Sequence, residues 1–299
     1  MSAVELIHVT AGFGANTVLH GVDLAVAPGS CVGIFGLNGA GKSVTVKVLA
    51  GLVPTRSGQL LLQGEDITHE PPEARVPRGM AYLPQARQLF PRLSVEQNLR
   101  LGGYVLRRSD KPGYATVLDE VYTRFPKLAS RRTQLAGSMS GGEQAMLAIG
   151  RALVSRPTVL LIDEPTAGLA PGAIGEVLDM LLQLRNEGLT ILLVEQNICF
   201  GFRLVDRAAI MQRGLVVYEG AVADLDTARV AELLGVGRLL GSGLGSAVAA
   251  RKDVAARKDV AARKDVAAKK APGARTSPAP PESASRAPAT RTPANKAAR

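Results

Sequence analysis

The segment Gly36-Leu37-Asn38-Gly39-Ala40-Gly41-Lys42-Ser43 sets three glycines, a lysine and a hydroxyl at fixed spacing. The glycines let the main chain fold tightly enough to aim N–H groups inward at phosphate oxygens. Lys42 then supplies a cation for β- and γ-phosphates, and the Ser43 hydroxyl offers a ligand to Mg2+. The apolar run Cys31–Phe35 precedes the loop and the helical stretch Val44–Ala50 follows it, so the positive end of a helix joins the cradle. A nucleotide site is the expected consequence.

Two carboxylates form the next group. Val159-Leu160-Leu161-Ile162-Asp163-Glu164-Pro165 is an apolar strand ending in acids, which places them at the carboxyl edge of a sheet, where ligands bind in open α/β folds. Asp163 is expected to hold Mg2+ through water, and Glu164 to orient or deprotonate an attacking water. A third segment, Ser140-Gly141-Gly142-Glu143-Gln144, opens a helix. It makes a second anion pocket at a helix N-terminus; taken alone it also fits a plain N-cap with Glu143 as the capping-box partner.

The elements that must position these residues alternate. Strands are expected at Cys31–Phe35, Met80–Leu83, Val159–Asp163 and Thr190–Glu195. Continuous apolar runs suit strands buried on both faces of a parallel sheet. Helices are expected at Gly141–Ser155, where Met146, Ile149 and Leu153 recur at helical spacing, and at Ile174–Glu187. Such alternation indicates a parallel sheet with crossover helices. Ala208–Tyr218 reads as a hairpin turning at Gln212, Arg213 and Gly214, and the stretch from about Ala86 to Arg156 is helical and Arg-rich, long enough for an inserted subdomain.

With its three chemical segments combined, the chain resembles the nucleotide-binding subunit of ABC transporters over about residues 3–237. The resemblance implies a fold: a P-loop NTPase core with a mainly parallel sheet, an N-terminal antiparallel β-subdomain and an α-helical subdomain inserted at about 86–156. It implies ATP and Mg2+ as ligands and ATP hydrolysis as the activity. Ser140, Gly141 and Gly142 would then be the signature that meets the other subunit's ATP across a head-to-tail dimer. Gly36, Asn38, Gly39, Ala40, Gly41, Lys42 and Ser43 would hold the triphosphate, with Phe13 against adenine. Ser43, Asp163 and Gln85 would serve the metal. Glu164 would be the base, assisted by Lys42, Gln85 and Gln196, and Gln88–Asn98 would lie near the groove for the permease's coupling helix.

Two positions depart from the common family pattern. Gln196 stands where most members carry a histidine that contacts the γ-phosphate; a glutamine donates hydrogen bonds but carries no charge. Ala170 follows Gly168 and Leu169 where many members have an aspartate. The combination of Gly168, Leu169, Ala170 and Pro171 with Val194, Glu195, Gln196 and Asn197 is similar to one of the two ATPases of branched-chain amino-acid importers, or of urea and amide importers. The resemblance therefore implies permease subunits, a second ATPase subunit, an extracytoplasmic solute-binding protein acting indirectly, and a place at the cytoplasmic face of the membrane. A soluble ABC ATPase acting on ribosomes or nucleic acid is the alternative.

The 299 residues are 46% hydrophobic and 21% charged, ample for a globular core. Aromatics at 4% and no Trp argue against base-stacking nucleic-acid platforms. Cys31 and Cys199 are the only cysteines, so no disulfide scaffold is expected. No apolar run reaches the roughly 18–20 residues that span a bilayer, and the N-terminus does not read as a signal peptide. The net charge is +10, but residues 247–299 carry 13 Lys and Arg against 4 Asp and Glu, a net of +9, which leaves +1 for the body. That tail, 238–299, repeats Val-Ala-Ala-Arg-Lys-Asp from Val248 and turns Pro-rich after Lys270; it is expected to be disordered, with a marginal helix at 248–270.

Overall fold

The computed structural model describes residues 2–104 and 111–235. The body's end near Gly237 and the tail expected at 238–299 lie outside the described residues. Along the chain come β1 (Val4–Phe13), β2 (Asn16–Val26), β3 (Cys31–Phe35), α1 (Lys42–Leu49), β4 (Thr55–Leu62), β5 (Glu65–Asp66), α2 (Pro72–Arg75), β6 (Met80–Leu83), α3 (Val95–Gly102), α4 (Lys111–Arg124), α5 (Pro126–Ala129), α6 (Gly141–Leu153), β7 (Val159–Asp163), α7 (Pro171–Asn186), β8 (Thr190–Val194), α8 (Ile198–Leu204), β9 (Arg207–Gln212), β10 (Leu215–Ala221) and α9 (Thr227–Leu234).

Two sheets result. β2, β1, β4 and β5 lie side by side in an antiparallel sheet. The other sheet runs in the order β10-β9-β3-β8-β7-β6, parallel from β9 to β6, with β10 antiparallel at one edge. Every residue of β3, β7 and β8 is buried, because each strand is covered on both faces. The two-residue period of a strand decides which face a side chain serves. Val32, Ile34, Leu161, Leu192 and Val194 pack with Leu6, Leu19, Leu60 and the apolar side of α1. Cys31, Phe35, Leu160, Ile162, Ile191 and Leu193 pack against the helices on the other side, where Phe35 meets Phe202 edge-on at 5.1 Å.

The hairpin expected near Gln212 pairs Leu215 with Gln212. Several boundaries shift; α6, expected to run to Ser155, ends at Leu153, and α1 spans Lys42–Leu49 where Val44–Ala50 is expected. β8 ends at Val194, one residue early; the Glu195 N–H still donates to Ile34 O at 3.3 Å and closes the ladder. α7 starts at Pro171 rather than Ile174, since proline at the first helical position loses no hydrogen bond and brings a suitable φ. Between β6 and β7 the described chain is helical, as the Arg-rich stretch indicated.

Two contacts fix α1 and the loop before it. Arg75 is buried and donates to Val48 O and Leu49 O, closing the C-terminal end of α1. Gly214 donates its N–H to Ala40 O at 2.9 Å and accepts from His20 N at 3.0 Å, which ties the phosphate-loop segment to β2. Its φ is +78°, and an added Cβ would overlap the Val18 carbonyl. Gly214→Ala is therefore expected to destabilise the chain by about 2–4 kcal/mol. Gly188→Ala, whose φ is +89° in open space, should cost only about 1 kcal/mol. Thermal unfolding of the two variants checks this; equal losses would contradict it.

Candidate functional site

The carboxyl ends of the parallel strands converge on one edge, and the chemical residues sit there. After β3 the chain turns through Gly39 (φ +78°) and Gly41 (φ +106°), and Gly41 caps α1. An added Cβ on Gly36 would overlap Met211 O, so only glycine lets the loop lie this close to the end of β9. The first turn of α1 carries no acidic residue, leaving its positive end for an external anion. Lys42 is buried at 4% exposure, and its Nζ donates to Gly36 O at 2.9 Å and Leu37 O at 3.1 Å. Burial pushes the ammonium below the usual lysine range; the charges of Glu164, Asp163 and Glu195 oppose that shift.

Asp163, the last residue of β7, accepts from Ser43 Oγ at 2.9 Å on one oxygen and from the Tyr82 hydroxyl at 3.3 Å on the other. Burial pushes its carboxyl above the usual carboxylate range, against the Ser43 hydrogen bond. The Tyr82 phenol is pushed up as well, first by burial and then by the Asp163 charge. Ser43 and Asp163 offer hard oxygen donors, which suit Mg2+. Among the described residues no group of three or more His, Cys, Asp and Glu could hold a metal ion, so an ion at this pair would take the rest of its shell from phosphate and water, the usual Mg2+ arrangement.

Glu164 follows in the left-handed region at φ +46°, with its N–H donated to Val194 O at 2.8 Å. Gln85 Nε2 donates to one carboxylate oxygen at 2.6 Å and Gln196 Nε2 to the other at 3.0 Å. Gln196 Nε2 also donates to Asn38 Oδ1 in the phosphate loop. Four residues from four separate strand ends thus share one hydrogen-bonded row, and each carboxylate oxygen keeps a second acceptor direction.

The remaining expected residues stand apart from this row. Ser140 is the N-cap of α6, in a reciprocal capping box with Glu143, and is exposed. Gly141 and Gly142 lie against Leu169, Arg87 and Ala173, with no room for a Cβ on Gly142 against Ala173. Phe13, 54% exposed at the end of β1, borders a tip where Arg56 donates to Gly14 O, Asn16 O and Thr17 Oγ1. A separate cavity of about 710 Å³ lies at the opposite, amino edge of the sheet, lined by Val159 and Thr190 among others, and contains none of these groups. Sequence reasoning missed Tyr82, Arg87 and Glu195; an acid adjoining Gln196 was a usable signal for the last.

The model of the ABC transporter family matches residues 19–167. The high-affinity branched-chain amino acid transport ATP-binding protein BraG of Pseudomonas aeruginosa is 42% identical over 219 residues, 73% of this chain and 93% of BraG. The chain belongs to the ABC transporter ATP-binding family. As a member it is an ATPase subunit of a transporter. The probable branched-chain amino acid transport ATP-binding protein LivF of Archaeoglobus fulgidus is 38% identical over 223 residues, 74% of this chain and 93% of LivF. An ATP-binding cassette of an ABC transporter solved in its ADP conformation has a TM-score of 0.67 and 27% identity, covering 74% of this chain and 91% of that one.

The raised Asp163 carboxyl has a stability consequence. The folded chain holds a proton there at pH values where the unfolded chain has released it, so this group's contribution falls as pH rises through that interval. At neutral pH the ionised, desolvated carboxylate is a net cost. Asp163→Asn is expected to raise the nucleotide-free Tm by a few degrees at about pH 8, with the gain shrinking towards about pH 4, and to abolish stabilisation by Mg·ATP. Thermal scans at the two pH values check it; a lower Tm for the variant at neutral pH would contradict it.

Proposed function

We propose that this chain hydrolyses Mg·ATP to drive a permease for branched-chain amino acids or related small polar solutes. The observation that carries the chemistry is Glu164, held by two amides beside the buried Lys42 and the Ser43–Asp163 pair. Lys42 meets the β- and γ-phosphates as they replace its two carbonyl partners, and the α1 N-terminus and the loop N–H groups hold the triphosphate oxygens. Mg2+, when bound by Ser43 and Asp163 with Gln85 nearby, neutralises charge on the transferred phosphoryl. Glu164 orients a water and accepts its proton through a lone pair that Gln85 and Gln196 leave open. Gln196, bonded to both Asn38 and Glu164, reports the state of the phosphate loop to the base.

The exposed Ser140, with the half-buried Gly141, the buried Gly142 and the rest of α6, completes the ATP site of a facing subunit, identical or related, and Phe13 stacks on adenine. The helical stretch between β6 and β7 serves as the inserted subdomain. Beside it Phe90 and Leu101, 50% and 45% exposed, border a groove of about 360 Å³ with Ala81, Leu83, Ala148 and Arg151. An apolar groove next to the Gln85 segment suits an amphipathic permease helix. Among the described residues no helix is long and apolar enough to cross a membrane, and we place the chain at the cytoplasmic face through the permease. The solute class rests on the names of BraG and LivF.

Glu164→Gln is expected to lower turnover by about 10²-fold or more while retaining ATP binding; turnover at the parental rate would refute the base assignment. Cells lacking the chain are expected to lose uptake of labelled leucine, isoleucine or valine; unchanged uptake of all three would refute the solute class.

A further inference from the structure

The site contains a carboxylate for which the chemistry above has no use. Glu195 is 1% exposed and accepts at both ends. One oxygen takes the Thr166 hydroxyl at 2.6 Å and the Thr166 N–H at 3.2 Å; the other takes the Asn197 N–H at 2.8 Å. Its own N–H goes to Ile34 O at the end of β3. Thr166 lies two residues past Glu164, and Asn197 directly follows Gln196 and caps α8 through Phe200 N. Farther along, Arg87 donates to Ala167 O at 3.0 Å and lies 3.4 Å from Gln144 Oε1 on α6.

We infer that Glu195 is a positioning residue for ATP hydrolysis, a buried strut that sets the turn bearing Glu164 against the turn bearing Gln196. The inference rests on Glu164 being the base. Three donors converge on Glu195 from two turns, so both ends of its side chain must accept, which a carboxylate can do and an amide cannot. Burying that charge without a hydrogen-bonded cation is costly, and a fold in need only of packing would be served by an apolar residue. The cost is explained by what it holds. Glu164 keeps a left-handed backbone only if its surroundings over-determine it. Its N–H is fixed by Val194 O, and the Thr166–Glu195 bonds fix the chain two residues later. The same carboxylate orients Asn197 and so the backbone of Gln196, whose amide must reach both Glu164 and Asn38. Displacements of the order of 1 Å at such groups are enough to cost about 10²-fold in rate.

The test compares the full chain, assayed in its transporter complex, with Glu195→Gln, Thr166→Val and Thr166→Ser. Glu195→Gln is expected to lower kcat about tenfold or more with KM for ATP within about twofold. Thr166→Val is expected to lower kcat in the same direction, Thr166→Ser to restore it, and Glu195→Gln combined with Thr166→Val to be no worse than Glu195→Gln alone. Should Glu195→Gln fail to fold, by thermal unfolding, the Thr166 pair decides through the presence or absence of serine rescue. Parental kcat in Glu195→Gln, a raised KM at unchanged kcat, or losses that multiply in the double variant would overturn the strut. Parental turnover in Glu164→Gln would instead overturn the base assignment, which separates the two failures.

Discussion

The arrangement of the site depends on one ammonium kept out of water. Lys42 gives up hydration to rest on two main-chain carbonyls, and three carboxylates, Asp163, Glu164 and Glu195, are buried around it. In a medium of reduced dielectric such charges act strongly on one another and are costly to leave unmatched. Each is therefore fixed by dipoles: Asp163 by Ser43 and Tyr82, Glu164 by two glutamine amides, Glu195 by Thr166 and Asn197. None of these partners is close in sequence to all the others. They meet because fully buried strands end together, and the strands are buried because a second sheet and a layer of helices cover both faces.

Polarity is distributed unevenly across this edge. The charged groups face inward, whereas Phe13, Asn38, Gln85, Ser140 and Gln196 are exposed. A nucleotide resting on the phosphate loop would have exposed Asn38 and Gln196 beside it, and the exposed Ser140 caps a separate helix, α6. Such a surface suits the proposed role as one half of a closed pocket. In the proposed function, closing two halves over a triphosphate would strengthen every electrostatic contact inside. The Ser140–Glu143 box is an ordinary helix cap, which is compatible with the proposed signature role, since a well-fixed N-terminus presents its N–H groups in a fixed direction.

Local chemistry made much of this legible in the chain. The glycine loop before α1, the acids after an apolar strand and the helix opening at Ser140 each carry their local structure within a few residues, and the strand runs are apolar because both faces are covered. What escaped the sequence depends on distance along the chain. Tyr82 reaches Asp163 across 81 residues, Glu195 reaches Thr166 across 29, and Gly214, in the turn between β9 and β10, reaches back to Ala40. Nothing around Tyr82 distinguishes it from a core aromatic until β6 pairs with β7. The one-residue shortening of β8 has the same origin, since the Glu195 side chain is taken up by Thr166 and Asn197, contacts that local propensity does not encode.

Whether the inward charges and the exposed half-pocket belong to a single shared site is answered most directly by cross-linking. Ser140→Cys on one subunit and Asn38→Cys on the facing subunit, this chain or its related ATPase, are expected to join through a short bifunctional reagent when Mg·ATP is present and not in its absence. Cross-linking that is equal with and without nucleotide, or a nucleotide-bound assembly in which Ser140 lies beside no triphosphate, would contradict a site completed by two subunits.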